Sequence, residues 1–177
     1  NIHEWVDYEY KSDDVIRQAI YSLRDKNRLL TVKLSGVEKM SHAADLALVL
    51  QKAVTATLRA KGINLPNPVL TDYENYIEHI EKNPKIWEPL IAGDSKLSSI
   101  VANSKQLIEN LAKCDLATFH RVNDTLRSVD LDIRLKNETI KQWLVEIQNE
   151  LSQMGTYNGL LIIWDEFTDV MDLIGVP

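Results

Sequence analysis

Apolar positions recur along most of this chain with the spacing of an amphipathic helix, and in only two places with the spacing of a strand. Ser12-Asp13-Asp14 supplies caps and first-turn acids for a helix to about Asp25, with Val15, Ile16, Ala19, Ile20 and Leu23 as its buried stripe. A second helix runs from about Ser41 to Lys61 on Leu46, Val49, Leu50, Ala53, Val54 and Leu58, and Gly62 ends it. After a loop punctuated by Pro66 and Pro68, Thr71 to Glu74 has capping-box spacing and opens a helix to about Lys82. Asn83-Pro84 and Glu88-Pro89 bracket a short turn of helix around Trp87. One long helix is then predicted from Ser95 to Lys113, another from Asp115 to Ser128, and a last from Asn137 to Met154, with Gly155 just past its end. The stretch from Asp130 to Lys136 is ambiguous.

The two exceptions are short. From Arg28 to Leu34, the apolar Leu30, Val32 and Leu34 alternate with Thr31 and Lys33, a period of two. A lysine inside such a strand suits the edge of a sheet, where charge discourages further pairing. From Leu160 to Trp164 five apolar residues run unbroken, as expected of a parallel strand buried on both faces. The two runs are expected to pair directly and in parallel, by a right-handed crossover, across about 125 residues. The fold class expected is therefore predominantly α with a small parallel sheet. Residues 1–62 and 155–177 form a partial α/β core, and residues 63–154 a helical lobe inserted in the crossover.

Composition changes this picture little. The chain has 177 residues, 45% of them hydrophobic and 26% charged, the profile of a globular domain. Its net charge is −6, and no basic cluster supplies the electrostatic footprint of a nucleic-acid binder. The single cysteine, Cys114, excludes an internal disulfide and a thiolate zinc cluster and fits a reducing, cytoplasmic setting. It reads as buried filler rather than as a nucleophile. No apolar run approaches the ~20 residues that span a bilayer. The first residue is Asn, and the chain reads as a fragment of something longer.

The chemistry lies where the second strand ends, at Leu161-Ile162-Ile163-Trp164-Asp165-Glu166-Phe167-Thr168-Asp169. Two adjacent carboxylates follow the carboxyl end of a strand, the edge at which open α/β sheets bind ligands. This segment resembles the Walker B strand of P-loop NTPases of the ASCE type, which add a catalytic glutamate. After a large helical insertion, the sequence is similar to that of very large bacterial ATPases of phage-defence systems of the bacteriophage-exclusion type. Trp164 departs from the small or aliphatic residue usual before the acids. The resemblance implies that Asp165 holds Mg²⁺, usually through a water, and that Glu166 polarises the water attacking the γ-phosphate of ATP. It also implies that the strand at Arg28 to Leu34 is the sheet edge. The bland alternative is a buried strand whose Asp-Glu starts a turn or caps a helix.

No G-x-x-x-x-G-K-[ST] phosphate loop begins at any of the six glycines, so nucleotide-binding residues are expected only in the parent protein. Alone, this chain should hold Mg²⁺–ATP no tighter than about millimolar, ~4 kcal/mol, and should not hydrolyse it. Its expected partners are the remainder of the parent ATPase and, through an uncovered edge of the apolar strand, a second copy. Neither nucleic acid nor membrane is expected to bind it directly. The rival reading is a non-catalytic helical interaction module.

Other candidates are weaker. His3, His42, His79 and His120 are scattered without ligand spacing. Glu78-His79-Ile80-Glu81 gathers a metal only with distant help and reads as a solvated helix face. The tyrosines and Trp87 between residues 73 and 87 read as helix packing rather than a base-stacking platform.

Overall fold

The computed structural model describes residues 7–26, 28–34, 40, 44–131 and 139–165. In chain order they form α1 (Asp14–Lys26), β1 (Leu29–Leu34), α2 (Asp45–Ala60), α3 (Asp72–Lys82), α4 (Pro84–Gly93), α5 (Ser95–Ser98), α6 (Ser104–Ala112), α7 (Leu116–Ser128), α8 (Ile140–Gln153) and β2 (Gly159–Trp164). The fold is predominantly α with a small parallel sheet. β1 and β2 pair in parallel, Leu29 opposite Gly159 through Leu34 opposite Trp164.

That register puts Leu30, Val32, Leu34, Leu160, Ile162 and Trp164 on one face, packed on α2 and α8. Among the described residues, no apolar cluster packs on the opposite face. Leu161 is 42% and Ile163 46% exposed, so β2 is buried on one face and not on both. An unbroken apolar run looks the same in either case, because only the layers stacked on the sheet decide. The stripe of α1 departs likewise: Val15, Ile16 and Leu23 are exposed. Amphipathic spacing states which face would be buried, but not that a partner surface lies within reach.

Helix ends follow local chemistry closely. Gly62 takes φ +63, its N–H reaches Arg59 O at 3.0 Å, and Ile63 N–H reaches Leu58 O at 2.9 Å, closing α2 in a Schellman motif. Thr71 and Glu74 form the capping box of α3. Two helices differ from expectation. α4 is ten residues long and carries Pro89 inside it, rather than a short turn bracketed by prolines. The single helix expected over 95–113 is broken after Ser98. Asn103 accepts from Gln106 N–H at 3.0 Å while Gln106 Oε1 accepts from Ala102 N–H at 2.8 Å, so a new helix is capped where continuation was expected. The ambiguous stretch at 132–136 lies outside the described residues.

Two apolar clusters divide the interior. One joins Tyr73, Tyr76, Ile80, Trp87, Leu97, Phe119 and their neighbours on α3 to α7. The other joins the sheet's packed face to Val49, Val54 and Leu58 of α2 and Trp143, Ile147 and Leu151 of α8. α2 serves both, with Leu48 in the first and Val49 in the second. The buried side of α8, assigned from sequence to the inserted lobe, thus packs with the sheet. Trp143 Nε1 donates to Leu70 O at 3.0 Å. The buried Glu150 carboxylate accepts from Asn67 N–H at 2.9 Å and from its amide at 3.0 Å, holding the loop between Pro66 and Pro68. A buried carboxylate is tolerable only with such donors around it.

Candidate functional site

Asp165 follows the last residue of β2. Its N–H donates to Leu34 O at 3.0 Å, carrying the parallel ladder one step past both strands. Its side chain is exposed, at the carboxyl end of both strands. Glu166 lies outside the described residues. A cavity of about 350 Å³ opens beside the end of β1, lined by Lys33, Leu34 and the α2 residues Lys52, Ala53, Ala56, Thr57 and Ala60. The carboxyl end of the sheet therefore offers an exposed carboxylate, and Lys33 and Lys52 are among the residues lining the cavity near Leu34. Lys33 stands exposed in β1, on the sheet face it shares with Leu161 and Ile163.

A single exposed carboxylate suits Mg²⁺, a hard ion that keeps several waters and takes only one or two protein acids in nucleotide sites. The donor chemistry of Asp165 fits that role. Among the described residues no group of three or more His, Cys, Asp or Glu side chains is arranged to hold a metal, so a closed all-protein cage is not what this end of the sheet resembles. No helix among the described residues is long and apolar enough to cross a membrane.

A second constellation has no signature in the sequence. Asp45, in the first turn of α2, is fully buried, and His120 Nε2 of α7 lies 2.8 Å from its Oδ1. His120 is about one-third exposed, at 34%, and lines a cavity of about 570 Å³ with Asp72, Asn123, Asp124 and Arg127. Burial pushes the Asp72 carboxyl up from its usual range, with a side-chain hydrogen bond to Gln51 opposing. Asp45 and His120 are 75 positions apart, and no spacing rule relates them.

The remaining candidates resolve as structure. Trp87 is fully buried and its indole N–H donates to His79 Nδ1 at 3.0 Å. Glu78 pairs with Lys82 at 2.6 Å on the exposed side of α3. Tyr73 and Tyr76 are buried against Phe119, edge to face or tilted, and Tyr76 also donates to Asn123. They are core, not a stacking platform. Cys114 is half-buried and packs against the helical cluster, at φ +55 in the turn between α6 and α7. His3 and His42 lie outside the described residues.

No protein-family model matches this chain, and no curated protein or solved structure is significantly similar to it.

Proposed function

We propose that this chain supplies two strands of the core of an ATP-hydrolysing P-loop protein, with Asp165 as the metal-holding acid and Glu166 as the water-orienting one. The observation that carries the reading is the direct parallel pairing of β1 with β2, with Asp165 at its carboxyl end. Parallel strands with a carboxylate at that edge are the setting in which nucleotide-binding sheets work. Mg²⁺, when bound, would neutralise charge at the phosphates; Asp165 would hold it and Glu166 would polarise the attacking water. The phosphate cradle is not among these 177 residues, so the reading requires the remainder of a parent ATPase as partner. The phage-defence setting and a cytoplasmic location belong to the same proposal.

Turnover and nucleotide binding by the full-length protein test this. Glu166→Gln should lower phosphate release about 100-fold or more while leaving Mg²⁺–ATP binding intact. Asp165→Asn should weaken the Mg²⁺-dependent part of binding as well. Undiminished hydrolysis by the Glu166→Gln protein would leave the acids as turn residues. The alternative, a non-catalytic interaction module, draws on one observation: the apolar side chains exposed on α1 and on the open face of the sheet.

A further inference from the structure

Asn158-Gly159 is the one Asn-Gly step in the chain, and it stands where β2 begins. The main-chain nitrogen that follows an asparagine can attack its side-chain carbonyl. Glycine is the least hindered follower, because it has no Cβ. The other asparagines among the described residues are protected. Asn67 and Asn83 precede prolines, which have no N–H to give up. Asn75, Asn110, Asn123 and Asn149 lie inside helices, whose ladder engages the N–H that follows. Asn103 accepts from Gln106 N–H at 3.0 Å, while the nitrogen that would attack it, Ser104 N, donates to Glu88 Oε1 at 3.1 Å. Asn64 is followed by the branched Leu65.

Asn158 has none of these protections. It is exposed, in a bend between α8 and β2. Its own N–H donates to Arg28 O at 2.7 Å, and successive N–H groups of a strand point to opposite sides. Gly159 N–H therefore points away from β1, and among the described residues no further strand lies on that side. We propose that Asn158 is a site of spontaneous deamidation, and that the isoaspartate formed there unseats the first pair of the sheet. The Gly159 nitrogen gives its proton to hydroxide and bonds to Asn158 Cγ. The Cγ–Nδ2 bond breaks, and the amide nitrogen takes a proton from water and leaves as ammonia. Water then opens the cyclic imide. Cleavage of the new N–Cγ bond gives aspartate; cleavage of the original peptide bond gives isoaspartate, whose main chain runs through Cβ and Cγ. The balance is one water in and one ammonia out, with no oxidant. Isoaspartate thus adds one carbon to the main chain between two fixed points, the bond to Arg28 O and the pairing of Leu29 with Gly159. Little room exists there, since a Cβ on Gly159 would lie 3.3 Å from Leu29 Cδ2. The inference does not depend on the nucleotide reading.

Incubation of the folded chain at pH 8 and 37 °C, followed by peptide mass spectrometry, tests the assignment. Asn158 should convert to aspartate and isoaspartate at least tenfold faster than the other asparagines named above, a barrier lower by about 1.4 kcal/mol. Asn158→Gln, which would have to close a larger ring, should lose the fast phase of ammonia release. The isoaspartate form, separated by chromatography, should unfold at a lower urea midpoint than the fresh protein. Asn158→Asp carries the same charge on an ordinary main chain and should keep a midpoint close to wild type. Conversion of Asn158 in the urea-unfolded chain but not in the folded one would overturn the assignment, because the fold would then shield the Gly159 nitrogen. An isoaspartate form as stable as the Asn158→Asp protein would overturn the consequence drawn for the sheet.

Discussion

His79 shows how one ring can report on a core it only borders. An indole nitrogen can only donate, so His79 Nδ1, 3.0 Å away, must accept, and the proton of the neutral ring sits on Nε2. Desolvation against the helical cluster holds the imidazole below its ordinary 6.5. Protonation at Nδ1 would also set two donors against each other. The folded state therefore resists a proton that the unfolded chain accepts. This contribution to stability is complete above about pH 6.5 and is lost as pH falls below it. His79→Gln, whose amide oxygen can accept from Trp87, should flatten the decline in stability between pH 7 and 5, as measured by urea unfolding. An unchanged pH profile would assign that decline to other groups. Asp72 has the opposite sign: its raised pKa favours folding in acid, and the advantage disappears as pH rises through the folded value.

At the scale of elements, the informative departure is the break between α5 and α6. Leu97, Ile100, Val101, Leu107, Ile108 and Leu111 keep a helical rhythm, which is why one helix is expected. Asn103 competes by offering its side chain to the backbone, and Gln106 reciprocates, so the chain reaches Val101 and Leu107 by two helices with a corner between them. The corner brings Ser104 N–H within 3.1 Å of Glu88 Oε1, joining α6 to α4. Asn103→Ala should lower stability by about 1 kcal/mol, the usual worth of an N-cap, measured as a shift of the urea midpoint at constant slope. A stabilised variant would mean that the unbroken helix is the better local structure. Caps at Thr71, Asp115 and Thr139 follow the same chemistry without opposing a longer period.

Across the whole molecule, α2 connects two interiors. Its Leu48 belongs to the helical cluster and its Val49, Val54 and Leu58 to the sheet's cluster, so the lobe is not hung on a flexible stem. Asp45 at the start of α2 meets His120 of α7 at the same junction. His120→Ala removes a contact to a fully buried carboxylate and should destabilise the fold, read as a lower urea midpoint. Asp45→Asn/His120→Ala should cost less than the two single changes added together, and a double-mutant cycle by urea unfolding measures that coupling. Strict additivity would show the contact to be incidental.

The residues themselves determined what depends on near neighbours: strand against helix by the period of apolar positions, the Gly62 stop, the Thr71–Glu74 box, and the parallel pairing of the only two strand-like runs. The location of Asp165 at the carboxyl end of that sheet was legible for the same reason, since it immediately follows the apolar run. Tertiary structure decided everything that needed a second surface. It left the faces of α1 and β2 exposed, turned α8 toward the sheet, and brought Asp45 to His120 across 75 positions. Periodicity encodes which side of an element is apolar, whereas burial depends on what the rest of the chain places against that side.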